Sequence, residues 1–172
     1  MVPMTYDSSA EIPVRTGTYR AVVQAGHTVT SYERTGSGHP VLLLVGKDAD
    51  IATPFWQAIR KAIGAQFRLV VPDPAPTGHD LDQWLGSFLD GLGIQGASLV
   101  ADEQIGVAVI GFALLAPDRV SRLVLVSSSG PDVESLDGAI GDRMSSHPFL
   151  MVRAQGDPEA VAESVVRFLA GT

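Results

Sequence analysis

Short apolar runs alternate along this chain with segments of helical period. That alternation narrows the fold more than any other feature. Residues 41–45 (VLLLV), 68–71 (RLVV), 97–101 (ASLVA), 121–127 (SRLVLVS) and 149–153 (FLMVR) are of strand length. The near-continuous apolar ones read as strands buried on both faces. Between them, 53–63 sets Phe55, Trp56, Ile59 and Ile63 at helical spacing, and 80–92 does the same with Leu81, Trp84, Leu85, Phe88, Leu89 and Leu92. Residues 104–116 form a helix so apolar that it should be covered. Residues 131–144 read as a weak helix, and 158–169 as an amphipathic one with Pro158 at its first position. Two further β-type runs, 18–24 and 28–34, precede the first buried strand.

Strands alternating with helices predict an α/β fold with a mostly parallel sheet. Ligands of such sheets bind outside the carboxyl ends of the strands. The loops that matter are therefore 46–52, 72–80, 101–105, 128–133 and 154–158. Residues 1–13 read as a flexible N-terminal arm and 14–172 as one domain, with no repeat or linker to divide it.

Composition removes several function classes. Apolar residues are 45% and charged residues 18%, a globular balance. The net charge is -7, from 12 Lys and Arg against 19 Asp and Glu, and the basic residues are scattered. Nucleic acid and anionic membranes need a concentrated basic patch, so neither is expected as a partner. Cys is absent, which excludes disulfides and thiolate sites. No run of about 18 apolar residues and no secretory pattern is visible, so a cytoplasmic location is the default expectation. No metal or dinucleotide pattern is present, and no cofactor is expected.

Four stretches carry a family resemblance: residues 36–46 (GSGHPVLLLVG), the Pro72-Asp73 turn, 88–106 (FLDGLGIQGASLVADEQIG) and 107–128 (VAVIGFALLAPDRVSRLVLVSS). Together they resemble the α/β-hydrolase superfamily from about residue 18 onward, with one gap. The resemblance implies an α/β-hydrolase-like, mostly parallel sheet with helices on both faces. About 20 residues separate Ser128 from the next strand, too few for a full cap domain. Residues 148–158 (PFLMVRAQGDP) resemble the acid-bearing strand and place Asp157 at the acid position. The final helix follows at once, so the strand that delivers the catalytic His is expected to be missing. A rival alignment makes 148–154 that last strand and His147 a relic of the catalytic His.

The chemistry departs from the family. Its nucleophile elbow is Gly-x-nucleophile-x-Gly, a strained strand-to-helix turn. Ala101, Asp102, Glu103, Gln104 and Ile105 fall on it, with Glu103 at the nucleophile position. Val45 stands where the family has His in His-Gly, while Gly46 is kept. Covalent Ser hydrolysis is therefore argued against. The candidate catalytic residues are Glu103 as proton-transfer group, Asp157 as a retained acid and His79 in the loop after strand 68–71. The candidate substrate-binding residues are Val45, Gly46, Lys47, Asp102 and Gln104.

Each candidate has a plainer reading. Asp102 and Glu103 suit a helix start, where carboxylates are favoured. Asp157 is a good N-cap, Lys47 could pair with Asp48 or Asp50 in solvent, and a loop His is often only surface. Trp56 and Trp84 read as core. Two functions stay open: a non-hydrolytic acid/base enzyme (isomerase, cyclase or lyase type) on a small organic metabolite, or a pseudoenzyme that binds a small ligand or a protein. The sheet edge near 148–154 would need covering, so a homodimer or pairing with a related protein is expected.

Overall fold

The computed structural model describes residues 12–15, 17–73, 80–127 and 147–171. Its elements are β1 (Ile12–Arg15), β2 (Thr18–Ala25), β3 (Thr28–Thr35), β4 (Pro40–Leu44), α1 (Pro54–Gln66) and β5 (Arg68–Asp73), then α2 (Leu81–Gly91), β6 (Ala97–Asp102), α3 (Glu103–Leu115), β7 (Val120–Ser127), β8 (Phe149–Arg153) and α4 (Pro158–Ala170). A short 3₁₀ turn, Pro117–Arg119, leads into β7.

The sheet runs β1-β2-β3-β5-β4-β6-β7-β8. The first three strands and the β3–β5 pair are antiparallel. From β5 to β8 every pair is parallel. This is the mostly parallel sheet that the alternation of buried runs demands. Val41, Leu42, Leu43 and Leu44 have no exposed surface. Successive strand residues point to opposite faces, so these four feed two cores. Leu42 and Leu44 join α2 and α3 on one face. Val41 and Leu43 join α1 and α4 on the other. Each buried Leu is worth about 1.5–3 kcal/mol relative to exposure.

Several expectations need correction. Residues 12 and 13, placed in the flexible arm, belong to β1. Strand β5 does not stop at Val71 but runs through Pro72 to Asp73, with Pro72 opposite Tyr32 of β3. Proline cannot donate to a ladder, but β4 pairs with β5 only from Arg68 to Val70 and asks nothing of it. Helix α3 is not covered all round: Val107 is 71% and Leu115 76% exposed. The helix expected at 131–144 falls outside the described residues, as does His79. Among the described residues, β8 is the last strand, and none is long and apolar enough as a helix to cross a membrane.

Candidate functional site

In the sheet β4 and β6 are neighbours, and the connection after β4 leads to β5 on one side while the connection after β6 leads to β7 on the other. A crevice opens at such a switch point, beyond the carboxyl ends of the two strands. A cavity of about 240 Å³ lies there. Asp48, Asp50, Asp102 and Glu103 line it, with Trp56 and Val126 as apolar walls.

Asp102 organises this region. It ends β6 with a buried side chain, and it caps α3. One oxygen, Oδ1, accepts from the backbone N–H of Gln104 at 3.0 Å and of Ile105 at 3.3 Å. The other, Oδ2, accepts from Gly46 N–H at 2.6 Å. A single carboxylate thus closes the helix start and ties the β4–α1 loop to it. Such charge-assisted bonds to backbone N–H are short and strong. A Cβ at Gly46 would lie 2.2 Å from Gln104 Oε1, the movable end of an exposed side chain, and 3.2 Å from Asp102 Oδ2.

Glu103 is the first residue of α3 and is exposed. Its Oε2 accepts from Ser127 Oγ at 2.8 Å. Ser127 ends β7, beside β6, because Asp102 pairs with Val126 in the parallel register. Gln104 is exposed at the cavity rim, and Val45 is half-buried against the α1–α4 core. Lys47 is exposed and makes no ion pair among the described residues, so the expected pairing with Asp48 or Asp50 is not formed. Asp157 caps α4, accepting from Glu159 N–H at 3.3 Å, and is exposed. His147 lies at the amino end of β8, bonded to Pro117 O at 3.0 Å, at the opposite end of the sheet from the cavity. Among the described residues no His, Cys, Asp and Glu group could hold a metal.

Sequence reasoning missed Ser127 and the second role of Trp56, which is core and cavity wall at once. The missed signal was register. Parallel neighbours that end together present their last residues to the same crevice.

No family model matches the chain. A 2-hydroxymuconate semialdehyde hydrolase of Pseudomonas sp. strain CF600 is 29% identical over 138 residues, covering 71% of this chain and 48% of that protein. A 2-hydroxy-6-oxo-2,4-heptadienoate hydrolase of Pseudomonas putida is 28% identical over 130 residues, covering 68% of this chain and 47% of that protein. Among solved structures, a "predicted CIB-like hydrolase" from Thermoplasma acidophilum matches with TM-score 0.65 at 14% identity, over 90% of this chain and 99% of that one. An epoxide hydrolase from Vigna radiata matches with TM-score 0.56 at 20% identity, over 74% of this chain and 47% of that one. These likenesses support the α/β-hydrolase superfamily for this chain. It spans about half the length of the curated relatives it matches.

Against the superfamily's elbow, the turn here is relaxed. Asp102 has φ -78° and ψ 168°, ordinary extended backbone. Among the described residues no non-glycine has positive φ. Ile105, where the family keeps a small residue, is buried in the core instead. The oxyanion hole of α/β-hydrolases uses the N–H of the residue after the nucleophile and an N–H from the loop after the preceding parallel strand. Gln104 holds the first of those positions, and the loop carrying Gly46 supplies the second. Asp102 accepts from the N–H of Gln104 and from that of Gly46 in this loop.

Proposed function

We propose that this domain is a non-hydrolytic pseudoenzyme of the α/β-hydrolase superfamily whose strand-end cavity binds a small neutral or cationic organic molecule. The observation that carries this reading is the Asp102 carboxylate bonded to the N–H groups of Gly46 and Gln104. Those donors would otherwise face a developing oxyanion. A resident negative charge there opposes both a tetrahedral intermediate and an enolate. Asp48, Asp50 and Glu103 around the same cavity add to the repulsion of anions. The relatives are hydrolases, and this arrangement lacks what their chemistry needs at the elbow.

Turnover of p-nitrophenyl acetate and a panel of longer esters is the direct test. No rate above buffer is expected. A rate above buffer that is lost in Glu103→Gln would overturn the reading. A thermal-shift screen tests the ligand class: amines and neutral polar compounds should stabilise the protein, and a preference for carboxylates would contradict it.

The Ser127–Glu103 hydrogen bond favours a second reading, in which Glu103 moves a proton in an isomerase, cyclase or lyase reaction. In that reading the Ser127 hydroxyl, donating to the carboxylate, holds Glu103 at the cavity. Metabolite conversion by wild type but not by Glu103→Gln would establish it. Asp157 and His79 enter only this reading, as groups to vary after Glu103.

The edge of β8 is a proposed contact. Among the described residues β8 pairs only with β7, and Phe149, Leu150, Met151 and Val152 are half-buried. Pairing of this edge with a second copy or a related protein would cover it. A monomer by sedimentation across micromolar concentrations would remove the homodimer.

A further inference from the structure

A second groove lies away from the strand ends, where the β2–β3 hairpin meets α1. Ala21 and Tyr32 are buried on the α2 face. Their neighbours Arg20 and Glu33 therefore project toward the α1 side, directly opposite each other in the ladder. Arg60 and Lys61 reach the same space from α1, and the groove encloses about 440 Å³. Small-ligand sites fall in the range of about 300–1,000 Å³.

We infer that this groove binds a small, multiply charged oxyanion, carrying phosphoryl or several carboxylate groups, through Arg20, Arg60 and Lys61. Glu33 is shared: Oε1 takes Arg20 Nη2 at 2.7 Å and Oε2 takes Arg60 Nη2 at 2.5 Å. Each guanidinium gives Glu33 one N–H and makes no other hydrogen bond among the described residues. The rest of each planar fork matches phosphoryl or carboxylate oxygens bidentately. Lys61 is exposed and has no ion pair among the described residues. Three cations thus line the groove with one carboxylate, and Asp73 of β5 acts on Arg20 from beyond it, in a chain whose net charge is -7. A purely structural clamp of α1 onto the hairpin would account for Glu33 and the two arginines. It does not account for Lys61 or for the open volume between them. Thr18 and Thr35, joined Oγ1 to Oγ1 at 3.0 Å, add hydroxyls at one end. The groove shares no residue with the strand-end cavity, so the two proposals stand or fall separately.

The test is an NMR titration of the folded chain with pyrophosphate and with citrate, against sodium chloride at matched ionic strength. Saturable shifts confined to residues 18–20, 33–35 and 57–61 are expected with at least one of the two anions. Lys61→Ala should weaken that binding about tenfold, the effect of one lost charge-assisted bond. Glu33→Gln should tighten it, because a competing carboxylate is gone. A structural clamp alone predicts no such gain. Shifts that follow ionic strength equally in chloride would overturn the site. So would binding left unchanged by Lys61→Ala, a variant that removes no ion pair and should fold normally.

Discussion

Asp102 shows how much one side chain can decide. It satisfies two donors at the start of α3 and a third from the β4–α1 loop. Asp102→Ala removes the cap and leaves Gly46 N–H buried without its partner. It should cost about 2 kcal/mol in urea unfolding, with Asp102→Asn losing less. Gly36 is a second such point. It sits at φ +77°, and a Cβ there would lie 2.2 Å from Phe67 O and 2.3 Å from Gly64 O. Gly36→Ala should therefore lower stability by more than about 2 kcal/mol, read as a shifted urea midpoint at unchanged slope. The helix-start role of Asp102 is legible from Asp before Glu before an apolar run. Its bond to Gly46 is not, because the two residues are 56 positions apart. Only the register of β4 on β6 brings them together.

At the scale of elements, buried runs and helical spacing located the strands and helices closely, since both periods are local. The misses have specific causes. Pro72 signals a stop because Pro interrupts a ladder, yet β4 pairs with this strand only from Arg68 to Val70. Helix α3 was expected to be covered because it is apolar all round, yet Val107 and Leu115 face out. Replacing either with Lys should change stability by less than about 0.5 kcal/mol, measured by chemical denaturation, because no packing is lost.

The hairpin and α1 are joined through Glu33, and this joint should respond to acid. Burial pushes the Glu33 carboxyl up, but the hydrogen bonds and charges of Arg20 and Arg60 outweigh it and hold it below the ordinary glutamate value. A carboxyl depressed in the folded state adds stability above its unfolded value and loses it as pH falls through the folded one. Stability should therefore drop with acid in that window. Urea midpoints measured across it should show a slope that Glu33→Gln lacks.

Across the whole molecule, one sheet carries both layers of helices, so the two faces should unfold together. The chain has two tryptophans, and the fold sets them on opposite faces. Trp84 is in the α2–α3 core and Trp56 in the α1–α4 core. Single-tryptophan variants, Trp56→Phe and Trp84→Phe, should give coincident urea transitions by fluorescence and by circular dichroism. Separate midpoints would mean that the layers melt independently. The sequence by itself determined the α/β class, the order of elements and the departure from a hydrolase elbow. Those features rest on residue types and on periods of a few positions. Tertiary structure decided which charges meet. It set Asp102 against the loop of Gly46, Glu103 beside Ser127, and Arg20 and Arg60 on Glu33. Coulomb and hydrogen-bond energies depend on distances of a few ångströms. Strand order and register set those distances between residues that are far apart in the chain.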